Sequence, residues 1–202
     1  WPAFGITFAE ALGGCVLGAA VALPMAIAIH RIVLLRAAVT PFLGATQAIP
    51  AIAVAPLLAI WVGYGIGPII LLCALMVFFP ILVATTVGLR LVDPLVVDAA
   101  RMDGAGSAAL LAFIELPLAL PNVLAGLRNG FALSVTGAVV GEMVMGGGGL
   151  GQLLTLQRDS VDTAGMFATI IVLCAMASGL YGLIAAIERR SATMAAVAGE
   201  PA

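Results

Sequence analysis

Apolar residues run along this chain in long unbroken blocks. They show neither the alternation of a half-buried strand nor the one-sided stripe of a surface helix. Between Arg36 and Arg90 no Asp, Glu, Lys or Arg occurs. Uncharged runs of roughly 18 residues or more read as membrane-spanning helices, because about 20 helical residues cross the hydrocarbon layer. The blocks predict five spans: about Phe4–Ile29, Pro41–Val62, Ile66–Leu89, Leu120–Met145 and Ala164–Ile187. Pro41, Pro50 and Pro56 predict a kinked or broken second span. A transmembrane barrel needs alternating segments of roughly ten residues, which these runs are not. The fold class is therefore all-α and polytopic.

One stretch breaks the pattern. VVDAARMDGAGSAALLAFIELPLALP, Val96–Pro121, holds Asp98, Arg101, Asp103 and Glu115 with two glycines and two prolines. Asp93 is a good N-cap and Pro94 suits a first helical position. The pattern predicts a short helix over Pro94–Asp103 ended by Gly104, then a second over Ser107–Ile114 that stops before Pro117. Leu95, Ala99 and Met102 share one face, and Leu110, Phe113 and Ile114 another, with charge opposite. Two amphipathic helices joined at glycines predict a knob outside the bilayer.

Composition sharpens this. The chain is 63% hydrophobic and 9% charged, with no Lys; a soluble domain carries about 25% charged residues. A net charge of −2 gives no footprint for nucleic acid. Cys15, Cys73 and Cys174 sit in apolar runs without metal-ligand spacing and read as small buried hydrophobes. Seven of the eight arginines fall on one side of the predicted topology, with only Arg158 on the other, so that side is expected to be the cytoplasm. Five spans ending inside place Trp1 outside and predict one more span upstream. The tail Ser191–Ala202 lacks periodicity and is expected to be disordered.

The spacing within the knob is specific. Asp98-Ala99-Ala100, three residues, Gly104, nine residues and Ile114-Glu115-Leu116-Pro117 match E-A-A-x3-G-x9-I-x-L-P, with Asp98 in the Glu position. This resembles the EAA loop of permease subunits of bacterial binding-protein-dependent ABC importers. WVGYG (Trp61–Gly65), FFPILVATTVGL (Phe78–Leu89), GAVVGEMV (Gly137–Val144) and GLGQLL (Gly149–Leu154) resemble the branch for nitrate, sulfonates, taurine and thiamine-pyrimidine precursors.

The resemblance implies a MetI-like type I importer fold in the bacterial cell membrane, with one permease domain over 1–190. Its coupling loop, about 90–118, would be cytoplasmic, as would the C-terminus. Asp98, Ala99, Ala100, Asp103, Gly104, Ile114, Leu116 and Pro117 would form the docking element for separate ATPase subunits. Gly104 would allow a tight turn and close approach, Ala99 and Ala100 a flat face, and Asp98 a carboxylate. The implied partners are the ATPase, an extracytoplasmic solute-binding protein and a second permease copy in a homodimer. ATP and magnesium would belong to the ATPase, leaving this chain without cofactor or catalytic residues; it has no phosphate-binding G-x-x-x-x-G-K-[ST] motif.

Gly146-Gly147-Gly148-Gly149-Leu150-Gly151 satisfies G-x-G-x-x-G, but follows a span where a nucleotide fingerprint would follow a strand. It reads as an external turn. Glu142, Gly148, Gly149 and Gly151 are candidates for the pathway or a gate, and Glu142 could equally order the glycine-rich turn. Arg128, near the cytoplasmic end of its span, reads as snorkelling to the interface more than as a substrate ligand. An ion-coupled secondary transporter would instead show internal repeats and charge pairs near the midplane. An intramembrane enzyme would show motifs that are absent from this sequence.

Overall fold

The computed structural model describes residues 1–39 and 50–198, and every element among them is helical. In chain order these are α1 (Pro2–Arg31), α2 (Val33–Val39), α3 (Ala51–Val62), α4 (Ile66–Arg90), α5 (Pro94–Met102), α6 (Ser107–Leu110), a π-helical turn (Leu111–Glu115), α7 (Leu116–Met145), α8 (Leu150–Asp159) and α9 (Thr163–Ala198). Four helical stretches are long and apolar enough to cross a membrane: Pro2–Arg31, Ile66–Arg90, Ser107–Met145 and Thr163–Ala186. The second predicted span is represented by α3 alone. Its 12 residues cover about 18 Å, short of the roughly 30 Å of hydrocarbon. The first half of that span, 41–49, lies outside the described residues.

The centre of the bundle is α4, packed between α1 and α7. One core cluster joins Ala11, Ala55, Ile69, Leu72, Val135, Ala138 and Met176; a second joins Ala22, Ala26, Ile29, Val77, Ile81 and Leu82. Lipid is no less apolar than leucine, so helices in a membrane associate through close packing of small residues. The seams show this. A Cβ on Gly18 would lie 2.8 Å from Ala74 O, and one on Gly126 2.7 Å from Ala84 Cβ. Polar bonds stitch the same seams: Ser134 Oγ donates to Ala11 O (2.5 Å), and Cys73 Sγ to Ser134 O (3.4 Å).

Cys15 and Cys73 are buried as expected, whereas Cys174 lies exposed on α9. That helix has an outward apolar face, where Phe167 and Ile171 are also exposed. α9 runs past Ile187, the expected end of its span, to Ala198. The segment is rich in alanine, the residue with the highest helix propensity.

Candidate functional site

The knob forms at one end of the bundle. Asp93 caps α5, its Oδ1 accepting from Leu95 N at 2.9 Å, and Pro94 follows at the first helical position. α5 ends at Met102, and Gly104 then turns with φ +88°. That left-handed conformation strains any residue with a Cβ. A Cβ at Gly104 would meet nothing within 4 Å, so the space beside it belongs to the surroundings of the chain.

Beyond Gly104 the sequence expectation fails in an informative way. The second helix does not stop before Pro117. It passes from α6 through the π turn into α7 without a break. Proline lacks an N–H and its ring crowds the carbonyl four residues back. A π turn immediately upstream widens the helix by one residue and shifts that pairing. The added residue also rotates the faces: Leu110 is buried at 2% exposure while Phe113 is 79% exposed. These two therefore do not share a face.

The matched residues are spread over α5, the turn at Gly104, the π turn and the start of α7. Asp98, Ala99, Asp103, Gly104 and Pro117 are exposed, and Ala100, Ile114 and Leu116 are half-buried. The apolar face of α5 points outward: Leu95 is 75% exposed and Met102 84%. Asp98, also exposed, pairs with Arg101 (Oδ1 to Nη1, 3.2 Å).

Glu115 anchors the knob to the first span, a role its sequence position left unassigned. Its carboxylate is 4% exposed. Arg31, the last residue of α1, donates through Nη2 to Glu115 Oε2 (2.7 Å) and to Ser107 O (2.9 Å). His30 Nε2 lies 3.5 Å from Glu115 Oε1. The signal was an acidic side chain in an apolar helical stretch, which rarely lies buried unless paired; its partners, some 80 positions upstream, carried no marker.

At the opposite end of the bundle, Glu142 is fully buried and holds the glycine-rich turn. Its Oε2 accepts from Gly151 N (2.5 Å) in the first turn of α8, and its Oε1 accepts from Thr7 Oγ1 (2.7 Å). Thr7 Oγ1 in turn accepts from Leu150 N (2.8 Å). A carboxylate at a helix N-terminus meets amides that have no partner within the helix. A Cβ on Gly149 would collide with the Glu142 carboxylate and with Thr7 Oγ1, and one on Gly151 with Val139 O. The glycines are therefore spaces for this carboxylate. Gly148 is exposed, with Ile6 beside it.

Glu10, inside α1, was missed by the sequence reading. It is 1% exposed and lies beside Glu142, and its Oε2 has no hydrogen-bond partner among the described residues. An acidic residue within a span is itself a functional flag. Arg128 lies with its guanidinium 4.7 Å from the centre of the Tyr181 ring on α9.

Among the described residues no group of His, Cys, Asp and Glu could hold a metal. The family model for the binding-protein-dependent transport system inner membrane component matches residues 14–193. A riboflavin transport system permease of Chloroflexus aurantiacus is 43% identical over 77% of this chain and 58% of its own length. A formylaminopyrimidine transport permease of Halalkalibacterium halodurans is 36% identical over 73% of this chain and 58% of its own. The chain thus spans somewhat over half the length of these relatives. Among solved structures, an inward-facing methionine ABC transporter superposes with a TM-score of 0.83 over 94% of both chains, at 19% identity, which speaks to the fold alone. Helical architecture, apolar spans and the match along most of its length place this chain in the family of binding-protein-dependent transport system inner membrane components.

Proposed function

We propose that this protein is the membrane-spanning permease subunit of an ATP-driven importer in the bacterial inner membrane. It would provide the pathway for a small polar solute and take its driving force from a separate ATPase. The observation that carries this reading is the knob. α5 is capped at one end by Asp93 and ended by the left-handed Gly104 at the other, and it presents Leu95 and Met102 outward. An apolar face of that kind on a protruding helix needs a partner. Ala99 and Gly104 keep the surface low enough for a groove to close over it.

In this reading the knob end is cytoplasmic, as the arginine distribution indicates, and α8 lies on the external face with the solute-binding protein. ATP-driven closure of two ATPases would move the docked knobs, and the Glu115–Arg31 pair would deliver that movement to α1. Such coupling requires two global states with different ATPase contacts. A second copy of this chain would complete the pathway. The relatives' names support a small organic solute such as a vitamin or its precursor, a taurine or a sulfonate.

A secondary transporter would need charged groups in the spans that serve transport. The Glu10–Glu142 pair is the nearest candidate, yet both oxygens of Glu142 are engaged in holding α8 and Thr7. Affinity isolation of the full-length protein from its own membranes, in mild detergent, separates the readings. A stoichiometric ATPase carrying a Walker motif is expected to follow it. Isolation alone, with uptake that follows an ion gradient and ignores ATP, would overturn the proposal.

A further inference from the structure

A cleft of about 440 Å³ opens where the knob meets the ends of α1 and α4. Arg31, Arg36, Arg90 and Arg101 line it, with His30, against two carboxylates, Asp98 and Glu115. Half of all the arginines in the chain therefore converge on one cavity. Its remaining wall is apolar, formed by Leu89, Val92, Pro94 and Val97.

Local needs explain part of this charge. Arg36 donates to Ile29 O and His30 O, the carbonyls that end α1, where a helix carries partial negative charge. Arg31 neutralises Glu115. Arg31 and Arg101 offer more donors than these bonds use. Among the described residues Arg31 engages its partners through Nη2 alone and Arg101 through Nη1 alone. A guanidinium carries five N–H donors, so both retain donors toward the cleft. Arg101 is paired only with Asp98, and both side chains are more than half exposed, so an incoming anion can compete for it at low cost.

We propose that this cleft is a binding site for a phosphate group, and that its occupant is the headgroup of an anionic phospholipid. Guanidinium forks match phosphate geometry. The position favours a lipid over a soluble anion: the cleft lies at the ends of two membrane-length helices, α1 and α4, where headgroups reside, and its apolar wall suits a glycerol and the first acyl carbons. Basic clefts between span ends are suited to such headgroups. A bound headgroup would bridge α1, α4 and α5. If α5 is the ATPase-docking helix proposed above, lipid composition would then influence coupling.

The test is direct. The full-length permease, with or without an accompanying ATPase, is delipidated in detergent and titrated with phosphatidylglycerol, phosphatidylcholine or inorganic phosphate. Native mass spectrometry counts what each chain retains. One phosphatidylglycerol per chain is expected at concentrations where phosphatidylcholine is not retained. Arg101→Gln is expected to weaken retention about fivefold, the effect of one cation near a headgroup. Asp98→Asn, which removes the competing carboxylate, is expected to strengthen it. Arg158→Gln, on α8 at the other end of the bundle, serves as the control and leaves it unchanged.

Opposite signs for Arg101→Gln and Asp98→Asn distinguish a ligand site from a merely structural ion pair, whose loss would act in one direction for both. Equal retention of the two lipids, or no response to either substitution, overturns the site. Binding of inorganic phosphate with the same Arg101 and Asp98 dependence, without retention of phosphatidylglycerol, overturns the lipid as its occupant. A permease that retains phosphatidylglycerol in this way but whose uptake follows an ion gradient and ignores ATP would sink the transport reading and leave this site standing.

Discussion

Thr7 shows how much a single hydroxyl can organise in a chain this apolar. It donates to Glu142 Oε1 and accepts from Leu150 N, joining α1, α7 and α8 through one atom. Thr7→Val keeps the shape and removes both bonds. The amide of Leu150 is then buried without its acceptor, at a cost of about 1–3 kcal/mol. A lower Tm in detergent is expected. Glu142→Ala is expected to lower it further, because Gly151 N loses its acceptor and Thr7 is left with only Ala3 O at 3.2 Å, and α8 should become accessible to proteases. The two substitutions share one network, so their combined effect is expected to fall short of the sum. Additive losses in Tm would contradict that account. Glu142 was legible in the sequence as an acidic residue in a span. Its partners were not, because Thr7 lies 135 positions away and nothing local to either residue announces the meeting.

At the scale of elements, glycine decides which helices can touch. α4 sits between α1 and α7 because Gly14, Gly18, Gly126 and Gly130 remove side chains from the seams. Gly126→Leu must displace Ala84 and the backbone near Ile81, and overpacking of this kind costs about 1–3 kcal/mol or more. Loss of the monodisperse protein on size exclusion, or a clearly lowered Tm, is expected. Gly5→Leu serves as a control, since a Cβ there meets nothing within 4 Å. Equal behaviour of the two variants would contradict the seam assignment. The spans and the start of α5 were legible because they rest on local rules: unbroken apolarity, an Asp cap and a proline at the first position. The π turn was not. Pro117 reads locally as a stop, and only the packing of α7 against α4 shows that the helix continues through it. The same turn explains why Leu110 faces inward and Phe113 outward, contrary to the simple helical period.

For the whole molecule, the two ends differ in what holds them. One end is closed by Glu142, which seats α8 through buried bonds. The other carries an exposed helix with an apolar face, tied back to α1 by Arg31 and Glu115. The first arrangement fixes an element in place, and the second leaves one exposed, the face proposed above for docking. The motif spacing around Gly104 was readable as a pattern. Its physical content, an empty space beside a left-handed glycine next to exposed Leu95 and Met102, required the fold.

The measurement that tests this account most directly is ATP-driven uptake by the reconstituted complex carrying Gly104→Trp, compared with wild type. A Cβ here meets nothing within 4 Å inside this chain, and the strain of the left-handed φ falls on an exposed turn outside the helices, so membrane insertion and purification yield are expected to persist. The partner's approach is what it would block. A docking loss beyond about 1.4 kcal/mol is tenfold in affinity, so the ATPase is expected to be lost on purification, or retained with hydrolysis that no longer drives uptake. Wild-type levels of both ATPase retention and uptake in the variant would contradict the claim that the knob couples this permease to its engine.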